Sequence, residues 1–367
     1  MSNGPLLVAL LTLATVTLWP RRGLLTRWRE GRRLAVRVRR EDALKHILKA
    51  DANRREATLE SLAGSLQITP GHAADLVQEL GRSGLLSLEG GQLGLTAAGR
   101  ELATHVIRAH RLWESYLAEQ TGVAAREWHR QAERQEHLLT QQETNALAAK
   151  LGHPTFDPHG DFIPEDGGEL PGESGQPLSA APLNAPLVIA HVEDEPAAIY
   201  SQLCALGLRP GMKVVALERT PERLRFWADG TEHILAPVLA GNLNMLPLPE
   251  SKPDDLFEEE FLAQLAPGQH ARIVGLTPAC RGAERRRLLD LGFVPGTAIE
   301  VEMVSPGGDP TAYRVRGSVI ALRREQATLV RITTAQKTRM DDRGCKLAGA
   351  AVPSSIVHPP SSQGGKA

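Results

Sequence analysis

The sequence predicts an α+β chain of several domains: an N-terminal hydrophobic helix, a winged helix-turn-helix, a further helical region and two small β-barrels. Three observations carry that reading. Helical apolar spacing fills Glu41 to about Leu151, a glycine-tipped hairpin interrupts it at Leu85–Leu95, and a Leu-Gly-x-x-Pro-Gly motif occurs twice beyond residue 200. At 367 residues the chain is long enough for two or three hydrophobic cores. Its 42% apolar and 23% charged residues exclude a disordered or collagen-like polymer. The three cysteines are far apart with no CxxC pair, which argues against a disulfide framework or a zinc ribbon. Aromatic residues at 4% are too few for a platform that stacks single-stranded bases.

Taken in order, Leu6–Trp19 is an apolar run with no charge from Ser2 to Pro20, at the short limit of a bilayer span. Nine arginines follow between Arg21 and Arg40, although the chain as a whole carries only −1. The expectation is a membrane anchor over 1–20 and an Arg-rich juxtamembrane segment over 21–40, with the remainder in the cytoplasm, at the inner membrane. A buried helix and a mis-set start that added a non-native leader remain alternatives.

From Glu41 the pattern is helical. Ala43, Leu44, Ile47 and Leu48 make the first stripe. Thr58 caps a second helix, and Thr69-Pro70 opens a third that runs to Arg82. The hairpin around Glu89-Gly90-Gly91 then reads as a wing, and Thr96 caps a helix from Ala97 through Tyr116. The order is that of a winged helix over 41–100, with Thr69, His72, Gln78 and Arg82 of its third helix facing a major groove. That helix has one fixed positive charge, so attraction for phosphate has to come from residues such as Arg54, Arg55, Arg100 and Arg108. A winged helix that binds only protein is the competing reading.

Further helices are expected at about Glu127–Leu139 and Gln141–Leu151. His110 and Glu114 are one turn apart on the first long helix, and His129, Glu133, Glu136 and His137 form a stripe on the next. Imidazole and carboxylate without thiolate suit manganese, ferrous iron or adventitious zinc. A solvated charged face is the bland alternative. His72, His105 and His191 are isolated histidines, and no nucleophile–base pair or phosphate loop stands out, so no enzymatic activity is expected. Residues 153–184, rich in Pro, Gly and Asp, read as an extended loop or linker. After them Leu206–Gly211 and Leu291–Gly296 repeat the motif, each after a short helix and before alternating β residues. Residues 336–367 read as a disordered tail.

His-Arg-Leu-Trp-Glu (110–114), Trp-His-x3-Glu-x2-Glu-His (128–137) and Gly-His-Pro-x4-Pro-His-Gly-Asp-x-Ile-Pro (152–164) together resemble the iron- and manganese-dependent repressors of the DtxR/MntR family over Glu41–Pro164. The two C-terminal units, at 185–250 and 262–335 beyond a 165–184 linker, resemble FeoA domains, which are SH3-like barrels. The resemblance implies a helical metal-binding and dimerisation domain over 101–164, a homodimer, an operator in double-stranded DNA, and Mn²⁺ or Fe²⁺ as the effector, with Zn²⁺ also accommodated. It implies an ancillary site of His110, Glu114 and His129 and a primary site of Asp42, Glu133, Glu136 and His137. Lys45 departs from the manganese-type pattern, which has glutamate there, and is expected to pair with Glu133 or Glu136 in place of an ion. The alternative from another class is a membrane-anchored, FeoA-like accessory of a ferrous iron transporter that binds no DNA.

Overall fold

The structure, a computed structural model, describes residues 24–89, 92–172, 174–248, 259–277 and 279–334. The uncharged run at 1–20, the hairpin tip at Gly90-Gly91 and the tail at 336–367 lie outside the described residues. Among the described residues no helix is long and apolar enough to cross a membrane.

Helix α1 (Leu24–Ala52) is continuous, so the arginines from Arg27 onward stand on the same helix as Asp42 and Lys45. Residues 28–37 are exposed, whereas Ala43, Leu44, Ile47 and Leu48 are at most 1% exposed. That difference follows from sequence: the apolar 3–4 spacing begins only at Ala43. Thr58 caps α2 (Leu59–Ser65) in a reciprocal box with Ser61. Thr69 caps α3 (Pro70–Arg82), which buries Ala73, Leu76, Val77 and Leu80. Strands β1 (Leu86–Glu89) and β2 (Gln92–Leu95) pair antiparallel as the wing. Thr96 then caps α4 (Ala97–Gln120), which runs one turn beyond the expected end at Tyr116. Each such cap contributes about 1 kcal/mol.

The helix expected over Glu127–Leu139 is shorter. A 3-10 turn at Ala125–Glu127 leads into α5 (Trp128–Gln135), and the chain turns before α6 (Gln141–Lys150). Residues 152–164 are more ordered than a linker. Phe156 and Phe162 form an antiparallel bridge. Between them Asp157 Oδ1 accepts the backbone N–H groups of His159 and Asp161, both at 2.9 Å. An aspartate folding its own backbone in this way competes with extended chain.

Two six-stranded antiparallel sheets follow. The first holds β3 (Gln176–Pro177), β4 (Pro186–Val192), β5 (Lys213–Arg219), β6 (Leu224–Ala228), β7 (Thr231–Leu235) and β8 (Leu243–Pro247), in the order β3-β8-β4-β5-β6-β7. The second holds β9 (Glu260–Phe261), β10 (His270–Leu276), β11 (Ala298–Val304), β12 (Thr311–Val315), β13 (Ser318–Leu322) and β14 (Val330–Thr334), in the order β9-β14-β10-β11-β12-β13. The orders are equivalent, strand for strand. Helix α7 (Ala197–Ala205) follows β4, and α9 (Gly282–Asp290) follows β10; α8 (Pro237–Ala240) and α10 (Arg324–Ala327) precede the closing strands. The repeated motif does the same work twice. Gly211 and Gly296 have φ of 92° and 83°, and their N–H groups donate to Ile189 and Ile273 at 2.8 and 2.7 Å. Both sheets contribute to one continuous apolar core that includes Phe226, Leu243, Phe293 and Tyr313. Since β3 and the buried Leu178 belong to the first sheet, the end of the expected linker is part of that unit.

The loop after α6 is pinned to β4. Val192 N–H donates to the His159 carbonyl at 2.9 Å, and at Gly160 (φ 95°) a Cβ would lie 1.9 Å from the Ala190 carbonyl oxygen. Gly160→Ala is therefore expected to destabilise the chain by about 1–3 kcal/mol, through a strained backbone and a displaced strand. Denaturant unfolding with the same midpoint as the parent would show that the two backbones do not meet there.

Candidate metal centre

His110 and Glu114 lie one helical turn apart on α4 and are 6% and 1% exposed. His110 Nε2 is 3.0 Å from Glu114 Oε1. His129, at the start of α5, brings Nδ1 to 3.4 Å from the same oxygen. Asp194, in the turn between β4 and α7, places Oδ2 2.6 Å from His129 Nδ1. The other carboxylate oxygen of Glu114 faces Nδ1 of the buried His159 at 3.3 Å. Two overlapping groups result: His110, Glu114, His129 and Asp194; and Glu114, Asp157 and His159. In each, the potential ligand atoms all lie within 4.8 Å of one another.

The expected trio of His110, Glu114 and His129 therefore converges. Asp157, His159 and Asp194 are additions that sequence reasoning missed. Each had a visible signal: Asp157 and His159 flank Pro158 in the Pro-His-Gly-Asp motif, and Asp194 sits in the acidic run Glu193-Asp194-Glu195. Glu133 stands apart from Glu136 and His137, contrary to the expected grouping. It lies half-exposed with its Oε1 3.5 Å from His129 Nε2, which Glu195 also approaches at 3.5 Å. The split is tertiary: Glu136 keeps helical backbone angles and donates its N–H to the Ala132 carbonyl, and its side chain is drawn to Lys45 and His110.

Glu136 and His137 instead meet α1. His137 Nδ1 is 2.7 Å from Glu41 Oε2, and its Nε2 is 3.2 Å from Asp42 and 3.3 Å from Glu136. Lys45 Nζ donates to both Glu136 oxygens, at 2.9 and 3.0 Å. His110 Nδ1 also contacts Glu136 and so joins the two regions. Of the two carboxylates expected as partners for Lys45, Glu136 is the one it holds.

Burial alone would raise the Glu114 carboxyl, but His110 and His159 beside it hold it well below the ordinary range. Burial would depress His159; Glu114, Asp157 and Asp194 instead push it up to about 10. His129 is likewise raised against its burial, by Asp194 and Glu114. Burial, Asp161 and Glu114 lift Asp157 to about 7. Burial opposes ionisation of Glu136, yet Lys45 and His110 bring it down to about 2. Burial also opposes the charge of Lys45, and Glu136 reverses that, raising the ammonium above its usual value.

The Glu114 centre fits a divalent ion. His159 Nε2 and Asp157 Oδ2 are buried without any polar partner, and His129 Nδ1 and His159 Nδ1 face Asp194 and Glu114 without hydrogen-bond geometry. Buried polar atoms left open in this way are uncommon unless an ion or water completes them. Nitrogen and carboxylate oxygen donors without thiolate suit Mn²⁺ or Fe²⁺, with Zn²⁺ accommodated. The Asp42 group does not fit one, because an ammonium occupies the Glu136 carboxylate and cannot ligate metal while protonated.

On the winged helix, Thr69, His72, Gln78 and Arg82 are exposed along one side of α3, and Arg54 and Arg55 are exposed after α1. Two of the expected phosphate-attracting residues are engaged elsewhere. Arg100 pairs with Asp51 at 2.5 Å, and Arg108 is buried, donating to the Pro164 carbonyl at 2.6 Å. Among the isolated histidines, His105 bonds the Leu139 carbonyl, His72 sits against its own cap Thr69, and His191 lies 3.6 Å from Asp161.

Residues 96–165 match the iron-dependent repressor metal-binding and dimerisation domain, and residues 261–334 match the FeoA domain. A probable metal transport system membrane protein of Chlamydia trachomatis is 42% identical over 84 residues, 23% of this chain and 19% of that protein. The iron-dependent repressor IdeR of Mycobacterium leprae is 29% identical over 178 residues, 44% of this chain and 76% of that protein. A solved manganese-dependent transcriptional repressor in complex with manganese superimposes with a TM-score of 0.53 at 26% identity, over 57% of this chain and 99% of the other. The chain thus spans about a fifth of the Chlamydia protein and about three quarters of the mycobacterial one. By its motifs, its helical fold and its matched segments, the chain resembles the DtxR/MntR-type metal-dependent repressors in its helical part, and residues 261–334 match a FeoA domain.

Proposed function

We propose that the chain is a divalent-metal-responsive transcriptional regulator that binds double-stranded DNA as a homodimer and takes Mn²⁺ or Fe²⁺ as its effector. The observation that carries this reading is the Glu114 centre, where side chains from two helices, the 152–164 loop and the first β-unit converge, with atoms of Asp157 and His159 left open. His110, Glu114, His129, Asp157, His159 and Asp194 are the residues that would hold the ion, with Glu133 beside His129 at its outer edge. The α3 residues Thr69, His72, Gln78 and Arg82 would face the groove, with Arg54 and Arg55 near its phosphates. Dimerisation would run through helices within about 97–151, and the two β-units are read as SH3-like barrels of the FeoA kind. Nothing in this reading calls for catalysis. The transporter-accessory alternative draws on the anchor over 1–20, outside the described residues, and on the weakly basic α3.

Selection of the full chain against a random duplex pool, with Mn²⁺ and with EDTA, tests the function. The expected enrichment is a palindrome whose half-sites lie about one helical turn or a multiple apart, recovered in Mn²⁺. A pool that returns no enriched duplex in either condition would favour the alternative. His159→Ala and Asp194→Ala should weaken the Mn²⁺ dependence with the winged helix intact.

Metal binding should also depend on pH. Glu114, Asp157 and Asp194 push His159 up to about 10 against its burial, so at neutral pH an ion is expected to displace a proton from it. Below that value the imidazolium competes; as pH rises towards it the competition fades. Mn²⁺ affinity is therefore expected to rise between pH 6 and 9, by up to about tenfold per unit for each proton released. Calorimetric titration in buffers of different ionisation enthalpy measures those protons directly. A pH-independent affinity with no proton release would remove His159 from the ligand set.

A further inference from the structure

The Glu114 centre and the Asp42 group are built differently, although they are adjacent and share His110. In the first, Asp157 Oδ2 and His159 Nε2 are buried with neither a hydrogen-bond nor an ion-pair partner. In the second, every imidazole nitrogen and carboxylate has a partner from the chain itself. Glu41 takes Arg37 at 2.6 Å and His137 at 2.7 Å. Asp42 takes His137, and Glu136 takes Lys45, His137 and His110. Three carboxylates thus face two fixed cations, Arg37 and Lys45, together with His137. Two of the three carboxylates are met by fixed cations of the chain itself.

Lys45 is the centre of that arrangement. Its side chain is 15% exposed and that of Glu136 only 1%, so solvent does little to screen the pair. The ammonium lies within 3.0 Å of both Glu136 oxygens, the place a cation chelated by that carboxylate would occupy. A divalent ion entering there would lose Glu136 as a bidentate ligand and meet a like charge at contact distance. Lys45 lies on α1 and Glu136 just beyond α5, so the same pair ties the winged-helix side of the molecule to the helical domain.

We propose that Lys45 is a built-in cation that replaces a metal ion in the Asp42–Glu136–His137 group, so that α1 is clamped to the end of α5 without an ion there. The response to metal then resides in the Glu114 centre alone. This deepens the metal-responsive reading and rests on it: the fixed clamp sets the resting position of the winged helix, and the ion modulates the contact with the first β-unit. It implies a regulator whose winged helix is positioned for DNA even when metal is scarce.

The test uses the full-length chain, Mn²⁺ alone as ligand, and two variants, Lys45→Glu and Lys45→Met. Bound manganese is counted after gel filtration, and amide hydrogen exchange of residues 42–50 is followed in EDTA and in Mn²⁺. Lys45→Glu is expected to bind one more Mn²⁺ per protomer than the parent. In EDTA its α1 amides should exchange faster by at least about fivefold, and Mn²⁺ should restore them. Lys45→Met should lose the same protection without gaining an ion, which keeps the proposal testable if the Glu variant does not fold in EDTA. Equal manganese counts for the parent and Lys45→Glu, or α1 protection in EDTA that is unchanged in Lys45→Met, would overturn it. A parent that binds no Mn²⁺ at all would instead sink the metal-responsive reading, while the α1 protection would still judge Lys45.

Discussion

The Glu114 carboxylate is charged and 1% exposed, and much of the molecule is arranged around that fact. Burying a carboxylate without partners costs several kcal/mol, more than most single contacts return. Compensation comes from His110, His129 and His159, each on a different stretch of chain. Asp157 and Asp194 add further acid to the same space. These carboxylates drive His129 and His159 upward against their own burial, towards the protonated form. Proton and divalent ion are therefore competitors for one electrostatic deficit. The centre is stable enough to fold yet incomplete in its hydrogen bonding.

The deficit is resolved across a domain contact. His129 belongs to the helical domain and Asp194 to the first β-unit, and they meet at 2.6 Å. The 152–164 loop lies between them, its His159 carbonyl bonded to β4 and its ring against Glu114. An ion drawing these atoms together would tighten the seam between the helical domain and the β-unit, and anything that moved the seam would change affinity for the ion. That reciprocity is the thermodynamic requirement for coupling. On the α1 side the analogous seam is closed by Lys45, whose charge does not vary with metal supply.

The parts of this arrangement that follow from local rules were legible in the sequence. Thr58, Thr69 and Thr96 cap helices because a hydroxyl one position before an apolar-periodic stretch satisfies a free N–H, and all three do so here. His110 and Glu114 share a face because they are four apart on a long helix. The repeated Leu-Gly-x-x-Pro-Gly motif marks two units of equal strand order. What was not legible depends on tertiary partners and on how a loop returns. The stripe from His129 to His137 divides because Glu136 and His137 meet Lys45, Glu41 and Asp42 on α1, while Glu133 stays beside His129. Asp157 and His159 come from a Pro- and Gly-rich stretch that periodicity reads as linker, yet an aspartate-centred turn buries both. Asp194 reaches the site only through tertiary contact, which spacing in sequence does not encode. Lys45 was legible for the opposite reason, since a cation among acids stands out whatever the fold.

The two β-units, equal in topology, have taken different tasks at their equivalent turns. After β4 the chain reads Glu193-Asp194-Glu195 before α7; after β10 the turn ends in Ala279-Cys280-Arg281 before α9. The first turn brings acid to the Glu114 centre. The second brings no ligand, and its helix packs on the end of α4 instead. There Arg286 donates to the Glu119 carbonyl, and the residue at Gly282 lies against Glu119 closely enough that a Cβ would sit 3.2 Å from its side chain. A guanidinium at that end of α4 satisfies one of its free carbonyls and opposes the negative pole of the helix. Helix α4 is thus fixed at its C-terminal end by the second unit, while the turn of the first unit lies beside the carboxylate and imidazole side chains near its middle.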